Sequence, residues 1–241
     1  MEALNAALAA GCDAVYFGLP SFGARAFANN FDLETTKEVI ERCHLCGVKV
    51  YITMNTILYE DEMEDAYNMA KMVHSFGVDA FIIQDLGFIH LLHHRLPNLV
   101  LHASTQLSVS NPYQIEQLKK LGVQRVVLAR ECTKEEIQAC VDTGIEVEVF
   151  VHGALCICYS GQCLFSSVIM NRSGNRGECA GLCRLPYKLV ENNSYVKTDG
   201  DYLLSSKEVN TSNKLKDLLD LGVSSFKVEG RMKSSYYVGF I

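Results

Sequence analysis

No apolar run of about 18 residues occurs in the 241-residue chain, so no membrane-spanning helix is expected. The opening, MEALNAALAAG, lacks the basic region, long apolar stretch and cleavage site of a secretory leader; a cytoplasmic protein with reduced thiols is expected. Basic excess is missing too. A net charge of −6 argues against a surface that coats nucleic acid, while leaving room for a local basic patch. Several familiar motifs are absent. Tyr159-Ser160-Gly161 lacks the first glycine of GxSxG. His90 and His94 are four apart without the glutamate of HExxH, and with His93 they read as a solvated helix face. Gly18 and Gly23 form neither GxGxxG nor a phosphate-cradling loop.

Cysteine, by contrast, is abundant and unevenly placed. Five of ten cysteines, Cys156, Cys158, Cys163, Cys179 and Cys183, fall between Glu148 and Leu185. Glu148 to Gly153 reads as a strand. Glycines at 153, 161, 174, 177 and 181 make the following segment a folded loop rather than a long helix. Thiolates converging from a short flexible segment suit a soft metal or an iron–sulfur cluster. The spacing matches neither common ferredoxin pattern nor a zinc ribbon, so cluster, zinc and buried free thiols all stay open on spacing alone. Disulfides are disfavoured in a chain of this size with no sign of secretion. Cys12, Cys43, Cys46, Cys132 and Cys140 lie near helix ends, and Cys43-x-x-Cys46 reads as helix-end packing although it resembles a redox pair.

A short signal recurs along the chain: a helix closing on Gly, one apolar residue, then an apolar strand. It appears at 10–17, 46–53, 76–83, 121–128, 143–150 and 221–228. Glycine suits the left-handed position that closes a helix, and such repeats predict βα units around a parallel sheet. Strands at 98–105 and 201–208 bring the expected total to eight, with amphipathic helices between them and Thr133 as one helix cap. The fold class is therefore α/β: one TIM-like (β/α)8 barrel over 1–241, with a cysteine-rich loop at about 153–188 on its C-terminal face. The chain opens inside a helix, so the barrel is expected to miss its first strand.

The predicted strand ends are polar, as a catalytic face would be. His152, Glu131 and Glu229 are candidates for moving protons. Arg25, Gln106, Arg130, Lys227 and Arg231 are candidates for binding substrate, the cations suiting a carboxylate or phosphate. Arg172, Arg176, Arg184 and Lys188 make the cysteine loop locally basic, a possible phosphate contact.

Taken together these residues resemble peptidase family U32. The resemblance rests on Glu148-x-Phe150, Gly153-Ala154-Leu155-Cys156, Gly161-x-Cys163, Ser166, Cys179 and Cys183, with FGARAFANNFD (22–32), HASTQLSVSN (102–111), LLSSKE (203–208) and KVEGRMKS (227–234). Phe165 departs mildly from the usual aliphatic residue. The resemblance implies a barrel-like catalytic domain and a 4Fe–4S cluster on Cys156, Cys163, Cys179 and Cys183, with Cys158 in reserve and zinc as the alternative. It also implies an opening strand ahead of Met1. Two activities are implied: collagenase-like proteolysis, and oxygen-independent hydroxylation of transfer or ribosomal RNA or of a small aromatic substrate, with a prephenate-like co-substrate. The second is preferred because no activated nucleophile, zinc-bound water or carboxylate pair is evident. A non-catalytic, cluster-bearing partner subunit is the third reading.

Overall fold

The computed structural model describes residues 1–25 and 30–241. Of the FGARAFANNFD segment, 26–29 lie outside the described residues. The elements in order are α1 (Glu2–Ala9), β1 (Ala14–Gly18), α2 (Leu33–Leu45), β2 (Lys49–Met54), α3 (Met63–Ser75), β3 (Ala80–Ile83), α4 (Leu86–Arg95), β4 (Leu101–Ala103), α5 (Pro112–Lys120), β5 (Val123–Val127), α6 (Lys134–Val141), β6 (Glu146–Gly153), α7 (Phe165–Met170), a hairpin of β7 (Val190–Glu191) and β8 (Ser194–Tyr195), β9 (Val209–Asn210), α8 (Leu215–Asp220), β10 (Ser225–Val228) and α9 (Ser235–Phe240).

All six glycines of the recurring signal adopt positive φ: Gly11, Gly47, Gly77, Gly122, Gly144 and Gly222, between 72° and 90°. The chain can thus leave each helix and turn directly into a strand. Helix starts are chosen by side chains. Asp32, Asp85, Asn111 and Thr133 each accept a backbone N–H from the first turn, and Glu136 completes a capping box with Thr133.

The sheet order is β1-β2-β3-β4-β5-β6-β10, every neighbouring pair parallel, with β9 antiparallel against the end of β6. The expected eighth strand at 201–208 is not there. Ser205 and Ser206 instead receive the Arg184 guanidinium, and only the two residues of β9 pair with the sheet. The result is a curled parallel sheet, a half-barrel, rather than a closed hydrogen-bonded cylinder: among the described residues β1 and β10 share no ladder. Side chains bridge that seam. The Tyr16 hydroxyl donates to the Val228 carbonyl at 3.4 Å, and Lys227 Nζ lies 3.9 Å above the Tyr16 ring. Helices α1 and α9 pack together beneath it at Gly239, where an added Cβ would meet Ala6 at 3.5 Å. Among the described residues no helix is long and apolar enough to cross a membrane.

Strand alternation sorts the residues into two layers. Val50, Ile52, Phe81, Ile83, Leu101, Val126, Val147 and Val149 point outward against the helices, meeting Val39, Ile40, Phe88, Leu92, Ile115 and Cys140. Fully burying such a side chain stabilises by about 1.5–3 kcal/mol. The inward layer is different. Beside the small apolar cluster of Tyr51, Ala80 and Ile82 it holds His102, Arg125, Glu148 and Lys227. Lys227 Nζ donates to Glu148 Oε1 at 2.6 Å, and Arg125 Nη1 donates to Glu148 Oε2 at 3.2 Å. Burial alone would push the Glu148 carboxyl up, but the Lys227 ammonium and Arg125 hold it down at about 2. Lys227 was expected to bind an anionic substrate; its ammonium is instead spent on Glu148 inside the sheet.

Candidate functional site

The segment after β6 is held against the strand ends by a series of polar anchors. Glu229 Oε2 accepts the Ala154 N–H at 2.8 Å. Gly153 has φ of 136°, and a Cβ there would stand 2.5 Å from that of Glu229. Glu131 spends both oxygens on Ser160, accepting its N–H at 2.9 Å and its hydroxyl at 2.8 Å. The Ser160 oxygen in turn accepts the Arg130 N–H at 3.1 Å. Gly161 lies so close to the Gln106 carbonyl that a Cβ would approach to 2.0 Å. Further on, Arg176 makes a two-pronged pair with Glu62 and lies 4.2 Å over the Tyr59 ring, which holds the Glu62 carboxyl below its usual range. Arg184 donates to the Leu155 carbonyl at 2.6 Å and to Ser205 at 3.0 Å. These two arginines, read from sequence as a possible phosphate patch, are loop fasteners.

The cysteines share one neighbourhood on this loop. Burial raises the Cys156 thiol; Arg130 and Arg25 act to lower it, and Cys179 and Cys183 to raise it. Cys158 is raised by burial and by its contact with Cys163. Cys179 Sγ receives the Gly181 N–H at 3.4 Å, the kind of donor that supports a thiolate. Among the described residues no three His, Cys, Asp or Glu side chains stand in an arrangement that could hold a metal ion. What the loop offers is soft thiol donors, an N–H aimed at one sulfur and cations near Cys156.

Those cations come from three places around the sheet. Arg25 Nη2 lies 3.4 Å from Glu229 Oε1. Arg130 Cζ stands 4.0 Å over the Phe150 ring. Arg231 Nη2 reaches Asn30 Oδ1 at 3.5 Å. Burial is the first cause holding the Arg231 guanidinium down at about 10, and Arg25 adds to it. Of the three, only Arg25 has an ion-pair partner among the described residues, Glu229; Arg130 and Arg231 form no ion pair there. Tyr16, pushed up to about 12 by burial and then by Glu229, lies in the same field. Asn55 orders the Arg25 segment by accepting the Ala24 N–H at 3.0 Å. Gly18 is what admits Arg231: a Cβ there would meet Nη2 at 2.3 Å.

The structure therefore brings Arg25, Arg130, Arg231 and Glu229 together beside the cysteine loop. Glu131 and Gln106 serve its underside, and Lys227 sits below. His152 is half-buried at the end of β6, its Nδ1 2.5 Å from the Tyr237 hydroxyl. Sequence reasoning missed Tyr237, and missed Gly18 as the seat of a guanidinium. No local pattern marks either, because each partner comes from the far end of the chain.

Comparison with known proteins agrees with this picture. The 23S rRNA 5-hydroxycytidine C2501 synthase of Escherichia coli (strain K12) is 42% identical over 229 residues, 95% of this chain and 34% of that protein. The tRNA hydroxylation protein P1 of Bacillus subtilis (strain 168) is 34% identical over 248 residues, 100% of this chain and 59% of that one. A collagenase of Porphyromonas gingivalis (strain ATCC BAA-308 / W83) is 32% identical over 252 residues, 98% and 60% respectively. The chain thus spans between about one third and three fifths of these relatives. The solved structure of the U32 peptidase Mk0906 shares the fold with a TM-score of 0.51 at 14% identity, covering 60% of this chain and 63% of that one. The family model described as peptidase family U32 matches residues 1–241, and the chain belongs to that family.

Proposed function

We propose that this chain forms the catalytic barrel of an RNA-modifying enzyme that hydroxylates a base of ribosomal or transfer RNA without using molecular oxygen. One observation carries the reading: three guanidiniums, Arg25, Arg130 and Arg231, share the field of Tyr16 with the Glu229 carboxylate, beside a cysteine loop pinned over the strand ends. The relatives named for rRNA and tRNA hydroxylation support it. In this reading Cys156, Cys163, Cys179 and Cys183 hold a 4Fe–4S cluster, which supplies electron transfer when bound. A small anionic co-substrate, a carboxylate such as prephenate, binds across Arg130 and Arg231 through paired N–H donors. His152 and Tyr237 hold a proton between Nδ1 and the phenol oxygen at the rim. The anchored loop limits water over the site. The finer architecture, a (β/α)8 barrel whose eighth place lies between β10 and β1, and a cytoplasmic location belong to the same proposal.

Proteolysis is less well supported. Among the described residues Ser160 is buried with its hydroxyl given to Glu131, and no cysteine is hydrogen-bonded to a histidine, so neither is presented to a substrate with an imidazole base. The test is anaerobic purification with absorption spectra and iron and sulfide counts, on wild type, Cys163→Ala and Cys179→Ala, followed by mass spectrometry of RNA from cells carrying each. About four irons per chain, lost in both variants together with hydroxylated nucleoside, is the expected result. A colourless, stably folded wild type whose RNA products match those of the variants refutes the reading.

A further inference from the structure

A cavity of about 360 Å³ opens beside the cysteine loop, and none of Arg25, Arg130 and Arg231 lines it. Three glutamines line it: Gln84 after β3, Gln106 in the turn after β4, and Gln162 on the cysteine loop. Ile57, Leu86 and Leu107 form the apolar walls. Its one charged lining residue, Asp85, is already committed, accepting the Leu58 N–H at 3.1 Å and the Phe88 N–H at 2.9 Å. The cavity therefore has no cationic lining residue, unlike the neighbouring site.

Gln84 is 4% exposed, and its Oε1 has no hydrogen-bond partner among the described residues. Its Nε2 donates to the Gln106 carbonyl at 3.4 Å, and Gln162 Nε2 donates to Ser108 Oγ at 3.0 Å. A buried acceptor left unmet is costly, and it is closed off where it stands, so a ligand N–H in the cavity relieves it once the Gln84 amide turns outward. Amides offering donor and acceptor side by side, between apolar walls, match the hydrogen-bonding edge and flat faces of a heterocyclic base. The volume lies at the lower end of small-ligand pockets, room for a base and little more.

We propose that this cavity receives a single unstacked nucleobase of RNA, read by Gln84, Gln106 and Gln162. The anionic partner is left to the arginines. This inference rests on the RNA-modifying reading and adds the place where the base is held. Because Gln162 lies on the cysteine loop, base binding and loop position are linked.

The test titrates the full chain, at one fixed salt concentration, with a fluorescein-labelled RNA duplex carrying one bulged nucleotide: cytidine, uridine or an abasic ribose. The wild type is expected to bind a base-bearing bulge about tenfold or more tighter than the abasic one, as one well-made amide–base pair would give. Gln162→Ala, at an exposed position, and Gln84→Leu are expected to erase that difference while retaining the backbone-dependent affinity. Thermal melts by circular dichroism accompany both, and if Gln84→Leu does not fold, Gln162→Ala decides alone. Equal wild-type affinity for base-bearing and abasic RNA, or an unchanged preference in Gln162→Ala, overturns the pocket and leaves the RNA reading standing. Absence of binding to any of these RNAs overturns both.

Discussion

His102 offers a sharp test of the polar layer inside the sheet. It is 4% exposed, packs edge-on against Tyr51 with ring centroids 4.9 Å apart, and its Nδ1 has no hydrogen-bond partner among the described residues. Burial, followed by the charge of Arg125 and helped by Lys227 and Lys49, pushes the imidazole down to about 3, and Glu148 opposes this only in part. The folded state therefore refuses a proton that the unfolded chain takes up near the ordinary value of 6.5. The stability tied to His102 is whole above about pH 6.5 and drains away as pH falls from there towards 3. At pH 5, about 1.5 units below the unfolded value, the loss is about 2 kcal/mol. Glu148, held near 2, contributes its share above about pH 4.5 and loses it only below that, so it does not blur the window. His102→Phe preserves an aromatic neighbour for Tyr51 and cannot take up a proton. Guanidinium unfolding at pH 7 and pH 5 should show the wild type losing about 2 kcal/mol more than His102→Phe. An equal loss in both proteins refutes the argument.

Three further outcomes follow from named contacts. Lys227→Met strands the buried Glu148 carboxylate with Arg125 alone and should destabilise by roughly 3–5 kcal/mol, whereas Lys227→Met with Glu148→Leu recovers much of that in the same unfolding assay. Glu131→Ala leaves two donors of the buried Ser160 without an acceptor, at roughly 1–3 kcal/mol each; hydrogen exchange should quicken across 154–188, with Glu131→Gln partly restoring protection. Gly161→Ala combines a left-handed φ of 74° with a Cβ 2.0 Å from the Gln106 carbonyl, so the loop must lift; trypsin cleavage between Arg172 and Arg184 should accelerate at least several-fold while the melting of the sheet changes little.

Much of this architecture was legible because helix-closing glycines are local. Gly11, Gly47, Gly77, Gly122, Gly144 and Gly222 each lie next to the strand they introduce, and all six take up the left-handed turn. The segment 201–208 failed because apolar residues such as Tyr202 and Leu203, both exposed, mimic a strand without a neighbour to pair with. Arg176 and Arg184 looked available because their partners, Glu62 and the 205–206 backbone and hydroxyls, are remote in sequence. The buried network left a faint trace. Arg125, Glu146, Glu148 and Lys227 alternate with valines and Phe226, placing charge on the same side of three strands. In a parallel sheet covered by helices, that regularity points inward.

The contact between Arg25 and Glu229 spans 204 residues of chain, which bears on how the site comes into being. Local βα units can form early, since their contacts are close in sequence. The cluster of guanidiniums cannot: it requires residue 231 to return to the first strand, after the intervening units are in place. The guanidinium cluster therefore forms only after β10 has joined strands β1 to β6. A chain stalled or nicked before β10 would carry six paired strands, a cysteine loop without its Glu229 tether, and no Arg231 beside Gly18. The seam between β1 and β10 thus ties the two edges of the half-barrel: the guanidinium cluster exists only once both are in place.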